Sequence, residues 1–377
     1  MTTRKFTMEG GLHIFSSLPS ILTPADIYRV ARSPDARAHL VGSNVYIIAC
    51  RQRILFDQRE FHLDGEFFCG FLLVVRDGGW QQVAFRYRLT FGHHQGSPDQ
   101  CGVAISVNGT SALISNHIGQ VLIAVHVVVS EGECGLSDDE RDLNVLYVGQ
   151  GLGLRGQKLA VDRLSRHSTF QRILADFHTH HPEMEILILL YRFEHARNLI
   201  SSGGNMALVP TANERQDVEH LRKMQKARFD RRKRIALAEA ALINYFKPAY
   251  NSIFTNTNFA SNRRLKFLNS IVTEDMVGLV VELSTSNLRL RLRSEAQPPV
   301  SLDQSTLELM RGFVESPACD GEARSEIEGM MMSHRISIPL TNVDERDSFL
   351  HGTRWPGDDD RMPYFSGSPR KAQSAQD

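Results

Sequence analysis

The chain has 377 residues, 42% of them hydrophobic, which is enough to bury a full core and to build more than one domain. Lys+Arg and Asp+Glu both number 43, so net charge excludes any argument for a polyanionic partner and leaves that case to local charge distribution. The five cysteines (Cys50, Cys69, Cys101, Cys134, Cys319) are scattered and never form a CxxC pair, which excludes a disulfide scaffold or a zinc ribbon and points to a reduced, cytoplasmic setting.

The N-terminus carries no apolar run of signal-peptide length, and the longest apolar stretches, 121–129 and 186–191, are strand-sized, so no membrane partner is expected. Residues 1–118 predict a β-rich N-terminal domain. Runs at 44–50, 53–56, 66–76, 81–91 and 102–108 are rich in Val, Ile, Phe and Tyr and are separated by turn clusters such as Asp77-Gly78-Gly79. Thr23 followed by Pro24 predicts one helix start. His93-His94 has no partnered carboxylate nearby and reads as solvated.

From 119 to 258 the pattern turns to mixed α/β. Strands are expected at 121–129, 145–148 and 185–193. A helix is expected over 157–167, and Ser168-Thr169-Phe170-Gln171 reads as a capping box opening a second, ending near His178. From Asn213 one long helix is predicted as far as Phe246, stopped by Pro248. A short β extension follows over 259–295, with strands at 277–283 and 288–292. The stretch 296–377 holds seven of the fourteen prolines amid many Ser, Asp, Glu and Arg residues, the composition of a largely disordered tail.

Five side chains in the middle region are of types that could bind and cut a phosphodiester. Tyr147 lies in the strand Tyr147-Val148-Gly149. Arg163 and His167 are one helical turn apart and would share a face, a fork of donors beside a proton carrier. Glu239 sits among Ile235, Leu242, Ile243 and Phe246 on the apolar stripe of its helix, where a carboxylate demands a cation, a guanidinium or a proton. Asn251 closes Pro248-Ala249-Tyr250-Asn251.

This set resembles the GIY-YIG nucleases over about residues 120–256, a third of the chain. The resemblance implies an α+β fold, a three-stranded antiparallel sheet flanked by helices, here preceded by the β-rich domain and followed by the tail. It implies an endonuclease that hydrolyses DNA with one Mg²⁺ or Mn²⁺ held by Glu239, with RNA as a possible substrate. Arg163 would hold the phosphate, Tyr147 with His126 or His167 would handle the attacking water, and Asn251 would brace the site. The family's first strand normally supplies Gly-Ile-Tyr. The nearest counterpart in this region is Ala124-Val125-His126, which puts a histidine in the tyrosine's place.

Between Leu221 and Ile235 lie Arg222, Lys223, Lys226, Arg228, Arg231, Arg232, Lys233 and Arg234 with one acid, Asp230. This basic insertion, 213–234, would give a salt-dependent approach for nucleic acid, although a charge run is more often a solvated face. Two other motifs read as decoys. Gly151-Leu152-Gly153-Leu154-Arg155-Gly156 has a dinucleotide-binding spacing but no acid-ended strand at the required distance. Asp176-Phe177-His178-Thr179-His180-His181 resembles a phosphoesterase metal motif, yet falls at a helix C-terminus, where histidines are favoured anyway. The alternatives to an endonuclease are a binding protein weakened at His126 and a small-molecule phosphoesterase using the 176–181 cluster.

Overall fold

The computed structural model describes residues 3–89, 102–115, 119–151, 160–202, 209–252, 271, 273–299 and 332–340. The chain opens with β1 (Thr3–Arg4), β2 (Met8–Phe15) and β3 (Ser20–Leu22). Helix α1 (Pro24–Arg32) starts where the sequence predicts: Thr23 and Asp26 form a reciprocal capping box with proline at the first position. Helix α2 (Pro34–His39) leads to β4 (Val45–Gln52). Then come β5 (Leu55–Asp64), β6 (Phe67–Arg76), β7 (Gly79–Arg88), β8 (Gly102–Ile105), β9 (Ser111–Ser115) and β10 (Gln120–Ala124). Helix α3 (Val125–Glu131), β11 (Glu133–Cys134) and α4 (Asp138–Arg141) precede β12 (Leu143–Gln150). Next are α5 (Ala160–Leu164), α6 (Ser168–His180), β13 (Met184–Tyr191), β14 (His195–Ser202) and β15 (Val209–Pro210). The remaining elements are α7 (Glu214–Lys226), α8 (Arg231–Phe246), β16 (Met276–Ser284), β17 (Leu292–Arg293) and β18 (Ser333–Pro339).

The architecture is mixed α and β with several sheets. The central one has the order β17-β12-β4-β13-β3, and β12, β4, β13 and β3 are antiparallel neighbours. Side-chain alternation along β4 divides two cores. Val45, Ile47 and Ala49 face α8 and the second sheet, β14-β2-β16-β18, while Tyr46, Ile48 and Cys50 face α1, α5 and α6. Strand β12 keeps to this rule only through a bulge between Val145 and Tyr147, so that Tyr147 pairs with Ile48. Without the extra residue Tyr147 would pair with Ile47 and point into the opposite core. The bulge is what puts Tyr147 on the same face as Tyr46.

Residues 53–142 form a module inserted between β4 and β12. It has two antiparallel sheets, β11-β7-β6-β5 and β10-β9-β8, and a core of its own around Phe56, Phe68 and Phe85, whose rings are 5.0–5.6 Å apart. The domain boundary expected at 118 therefore falls inside this module, and β2, β3 and β4 belong to the other sheets.

Other expectations are corrected as well. The strand expected over 121–129 ends at Ala124 and becomes α3, because Val125, Val128 and Val129 recur at helical spacing and pack on the module core; packing overrides the β-branched preference for strand. The single helix expected over 213–246 is two. Asp230 caps α8 by accepting from Lys233 N–H, and the Asn198 amide donates to the carbonyls of Met224 and Ala227 at the break. His167, not Ser168, is the N-cap of α6. The strand expected at 288–292 is only Leu292–Arg293. Within the expected tail, β18 pairs antiparallel with β16; 300–331 and 341–377 lie outside the described residues.

Candidate active site

Beyond Asn144, β12 has no strand partner on its outer side among the described residues, where β17 pairs only with Leu143 and Asn144. Residues 146, 148 and 150 then turn their backbone polar groups outward with period two, and each finds a partner. Leu146 C=O accepts from Tyr250 N–H at 3.1 Å. Val148 N–H donates to Asn251 Oδ1 and Val148 C=O accepts from Asn251 Nδ2, both at 2.9 Å. The Gln150 backbone donates to the Glu239 carboxylate. The open edge of one strand thus fixes Asn251 and Glu239, which are otherwise far from it in sequence.

Across β12, Gly149 pairs with Tyr46. A Cβ at Gly149 would sit 2.6 Å from Cζ and from the hydroxyl oxygen of Tyr46, and 2.8 Å from Cε1 of Tyr147. Glycine is required there to admit the Tyr46 ring. Three rings consequently cluster at this end of the sheet. Tyr46 and Tyr147 have centroids 6.1 Å apart, Tyr147 and His167 5.3 Å, and Tyr46 and His167 6.3 Å. Tyr147 Oη lies 3.5 Å from His167 Nε2, at the outer limit of a hydrogen bond.

The ionisation of these groups is mutually coupled. Burial raises Glu239 to about 7, opposed by the Arg163 guanidinium and by the Gln150 hydrogen bond. Residue 239 as a whole is half-buried. Burial raises Tyr147, with Glu239 adding to the rise and Arg163 opposing it. Burial and then Arg163 lower His167 from its ordinary value, so its imidazole is neutral at pH 7. Burial likewise drives Tyr46 far above its ordinary range, and Tyr147, Arg163 and Glu239 all act on it.

Several polar groups at the site are unsatisfied. The Tyr46 hydroxyl is fully buried, and although it lies close enough to Tyr147 to influence its ionisation, it makes no hydrogen bond of normal geometry. His167 Nδ1 is buried without a partner among the described residues. Arg163 is exposed and its side chain forms no ion pair or hydrogen bond among the described residues, Glu239 included. A buried unmatched hydroxyl costs about 1–3 kcal/mol, and such groups concentrate at functional sites.

The structure thus brings together Tyr147, Arg163, His167, Glu239 and Asn251. The route differs from the expected one for Arg163 and His167, because α5 ends at Leu164 and the two do not share a helix. His126 is not among them. It is buried on α3, burial holds it down at about 4, and its charged neighbours are Asp26, Arg51 and Arg29. The tyrosine beside Tyr147 is Tyr46, which sequence reasoning missed. Its signal was present in Asn44-Val45-Tyr46, a strand opening on a tyrosine, but the inserted module hides the pairing.

Much of the basic run is engaged elsewhere. Lys223 pairs with Asp275 at 3.1 Å, Arg231 with Glu194 at 2.6 Å and Lys233 with Asp230 at 3.6 Å. Arg228 donates to the carbonyls of Gln225 and Ala227. Arg222, Lys226 and Arg232 are exposed and have no ion pair among the described residues.

His178 and His180 are exposed in the last turn of α6. Of the glycine-rich motif, 152–156 lies outside the described residues, as do His93 and His94. Among the described residues no group of three or more His, Cys, Asp or Glu side chains converges as a metal cage, which leaves Glu239 as a single carboxylate. No described helix is long and apolar enough to cross a membrane. Comparison with protein-family models, curated proteins and solved structures gives no match.

Proposed function

We propose that the chain is a metal-dependent endonuclease of GIY-YIG type that hydrolyses phosphodiester bonds in DNA. The observation that carries this reading is the convergence of Tyr46, Tyr147 and His167 with Arg163, which has no ion pair among the described residues, and the carboxylate of Glu239 at one end of a sheet. Asn44-Val45-Tyr46 on β4 takes the place of the first family motif, antiparallel to Tyr147-Val148-Gly149. The binding-only alternative rested on His126 standing for the first tyrosine, and Tyr46 removes that ground.

The residues fit a divalent cation. Glu239 has no cation within ion-pair distance among the described residues, and Mg²⁺ is commonly held by one or two carboxylates with water and phosphate oxygens completing its shell. When bound to Glu239, Mg²⁺ or Mn²⁺ would supply charge stabilisation to the phosphate and the leaving oxygen. Arg163 grips a non-bridging phosphate oxygen through its guanidinium fork. The Tyr147 hydroxyl orients the attacking water, with the buried Tyr46 packed behind it to fix its position, and the neutral imidazole of His167 accepts the proton of that water through or beside Tyr147. Asn251 holds β12 in register by bonding both polar groups of Val148.

The test is incubation of the purified chain with plasmid DNA and with RNA, each with and without Mg²⁺. Cleavage that needs Mg²⁺ and falls roughly a thousand-fold in Glu239→Gln supports the proposal. Intact but retarded plasmid under all conditions would falsify it. Activity lost in His178→Ala/His180→Ala and kept in Glu239→Gln would instead assign a phosphoesterase.

A further inference from the structure

In the inserted module, β6 runs from Phe67 to Val75 without one charged, amide or hydroxyl side chain, the composition of a strand covered on both faces. Only one face is covered. Phe68, Leu72 and Val74 join Val83, Phe85 and Tyr87 of β7 in the module core, with residues of β9 and α3. Alternation turns Phe67, Cys69, Phe71, Leu73 and Val75 the other way. There they stay half-buried and join none of the apolar cores among the described residues. Beside them Trp80 is 52% exposed. A contiguous apolar face of this kind marks an interaction site.

The charged rim points to the occupant. The register lays rows across the sheet: Arg88, Phe67 and Asp64 at one end, Gln82, Leu73 and Leu55 further along, and Trp80 with Val75 at the other end. A basic end of β7 thus flanks the apolar strand on one side and an acidic end of β5 flanks it on the other. Arg88 donates to Glu66 through Nε, at 2.6 Å, and its outer fork is open among the described residues. Asp64 is exposed and has no ion pair among the described residues. Arg86 lies over the Phe67 ring, 3.6 Å from its centroid, which covers that end of the strip and leaves Phe71, Leu73, Val75 and Trp80 as its open part.

Such a face is complementary to itself. A twofold axis parallel to β6 lays β7 of each copy over β5 of the other. Arg88 then meets the partner's Asp64 at two symmetric places, Trp80 reaches the partner's Leu55, and Phe71 and Leu73 pack on their own counterparts, sheet on sheet. An axis across the strands would set β7 on β7 and part Arg88 from Asp64. We propose that this outer face of the module is the contact through which two copies of the chain pair, β6 on β6. Three strands about 4.8 Å apart and about 33 Å long present roughly 450 Å² per copy in projection. Both copies together fall at the low end of specific interfaces, so the dimer is reversible, with micromolar affinity. The pairing concerns the module alone and does not depend on the nuclease reading.

The experiment is sedimentation velocity of the full chain over a concentration series, in EDTA and without nucleic acid. A monomer–dimer equilibrium is expected. Phe71→Glu sets a carboxylate in the middle of the face and should weaken pairing by about a hundred-fold or more, with unchanged circular dichroism. Asp64→Arg and Arg88→Asp should each weaken it by about ten-fold, since each sets like charges opposite one another. Mixed in equal amounts, these two variants should pair nearly as tightly as the unaltered chain, because each supplies the charge that the other lacks. Three results overturn the proposal: a chain that stays monomeric at every concentration, which would leave the face to a different partner; a dimer unmoved by Phe71→Glu; or a mixture that pairs no more tightly than either charge variant alone.

Discussion

The inserted β module and the open end of the central sheet treat polar groups in opposite ways. In the module, charges are matched locally: Arg76 with Glu140 at 2.6 Å, Arg88 with Glu66 at 2.6 Å, and Asp57 with the Gln82 amide at 2.6 Å. At the sheet end, the Tyr46 hydroxyl and His167 Nδ1 are buried without partners among the described residues, and the carboxylate of Glu239 is held up at about 7. Stability alone favours the first arrangement. The second is sensible only where a ligand completes the set, which is why the sheet end, rather than the more regular module, holds the proposed chemistry.

The sharpest way to break this contrast is a pair of substitutions. Tyr46→Phe should lower Mg²⁺-dependent cleavage by about a hundred-fold or more, whereas His126→Gln, on α3 of the module, should leave cleavage per folded molecule unchanged. Plasmid nicking rates, normalised to folded protein by circular dichroism, decide between them. Equal losses would return His126 to the site and detach Tyr46 from it.

Gly149→Ala tests whether the two tyrosines depend on the missing side chain. Its Cβ would meet the Tyr46 ring at 2.6 Å, so overpacking should cost about 1–3 kcal/mol in urea unfolding and lower cleavage as well. Unchanged stability would mean that Tyr46 can move aside freely, and that its placement is not specified.

The pH dependence sharpens the comparison further. Glu239 ionises at about 7 in the folded chain, against an ordinary 4.5. Cleavage at limiting Mg²⁺ should fall about ten-fold for each pH unit below 7. Without metal, the folded state binds more protons than the unfolded state between about 4.5 and 7, so the Glu239 contribution to stability declines as pH rises through that window. Glu239→Gln should remove that slope, and adding Mg²⁺ should offset the loss at higher pH. A slope identical in the variant would discard Glu239 as its source.

The smallest expected effect is that of Asn251→Ala. It removes two hydrogen bonds to Val148, each contributing about 1 kcal/mol at a solvent-near edge. Hydrogen exchange at Val148 should rise while the module amides stay protected; global loosening would contradict a local brace.

What the sequence made legible follows from distance along the chain. Tyr147, Val148 and Gly149 are adjacent, and Glu239 and Asn251 lie on one helix and the turn after it, so their spacing was readable. Tyr46 was not, because 53–142 separates the two paired strands and neither strand alone states its partner. The bulge at 145–147 was invisible for a related reason: it exists only relative to β4. Helix α3 misled because a valine run has the same composition in a buried helix as in a strand. The α7–α8 break lacks proline and glycine, and its one cue was Asp230, a good N-cap inside a charge run.

The place where the module joins has a practical corollary. Its entry after Gln52 and its exit before Leu143 flank a single rung of the ladder, since Cys50 pairs with Asn144. That rung stands about 13 Å along β4 from Tyr46. Such a junction lets a whole cassette be swapped or trimmed to a hairpin without disturbing the opposite end of the strands. An insert exchanged at this point would change the surface at one end of the sheet and leave the proposed site at the other end in place.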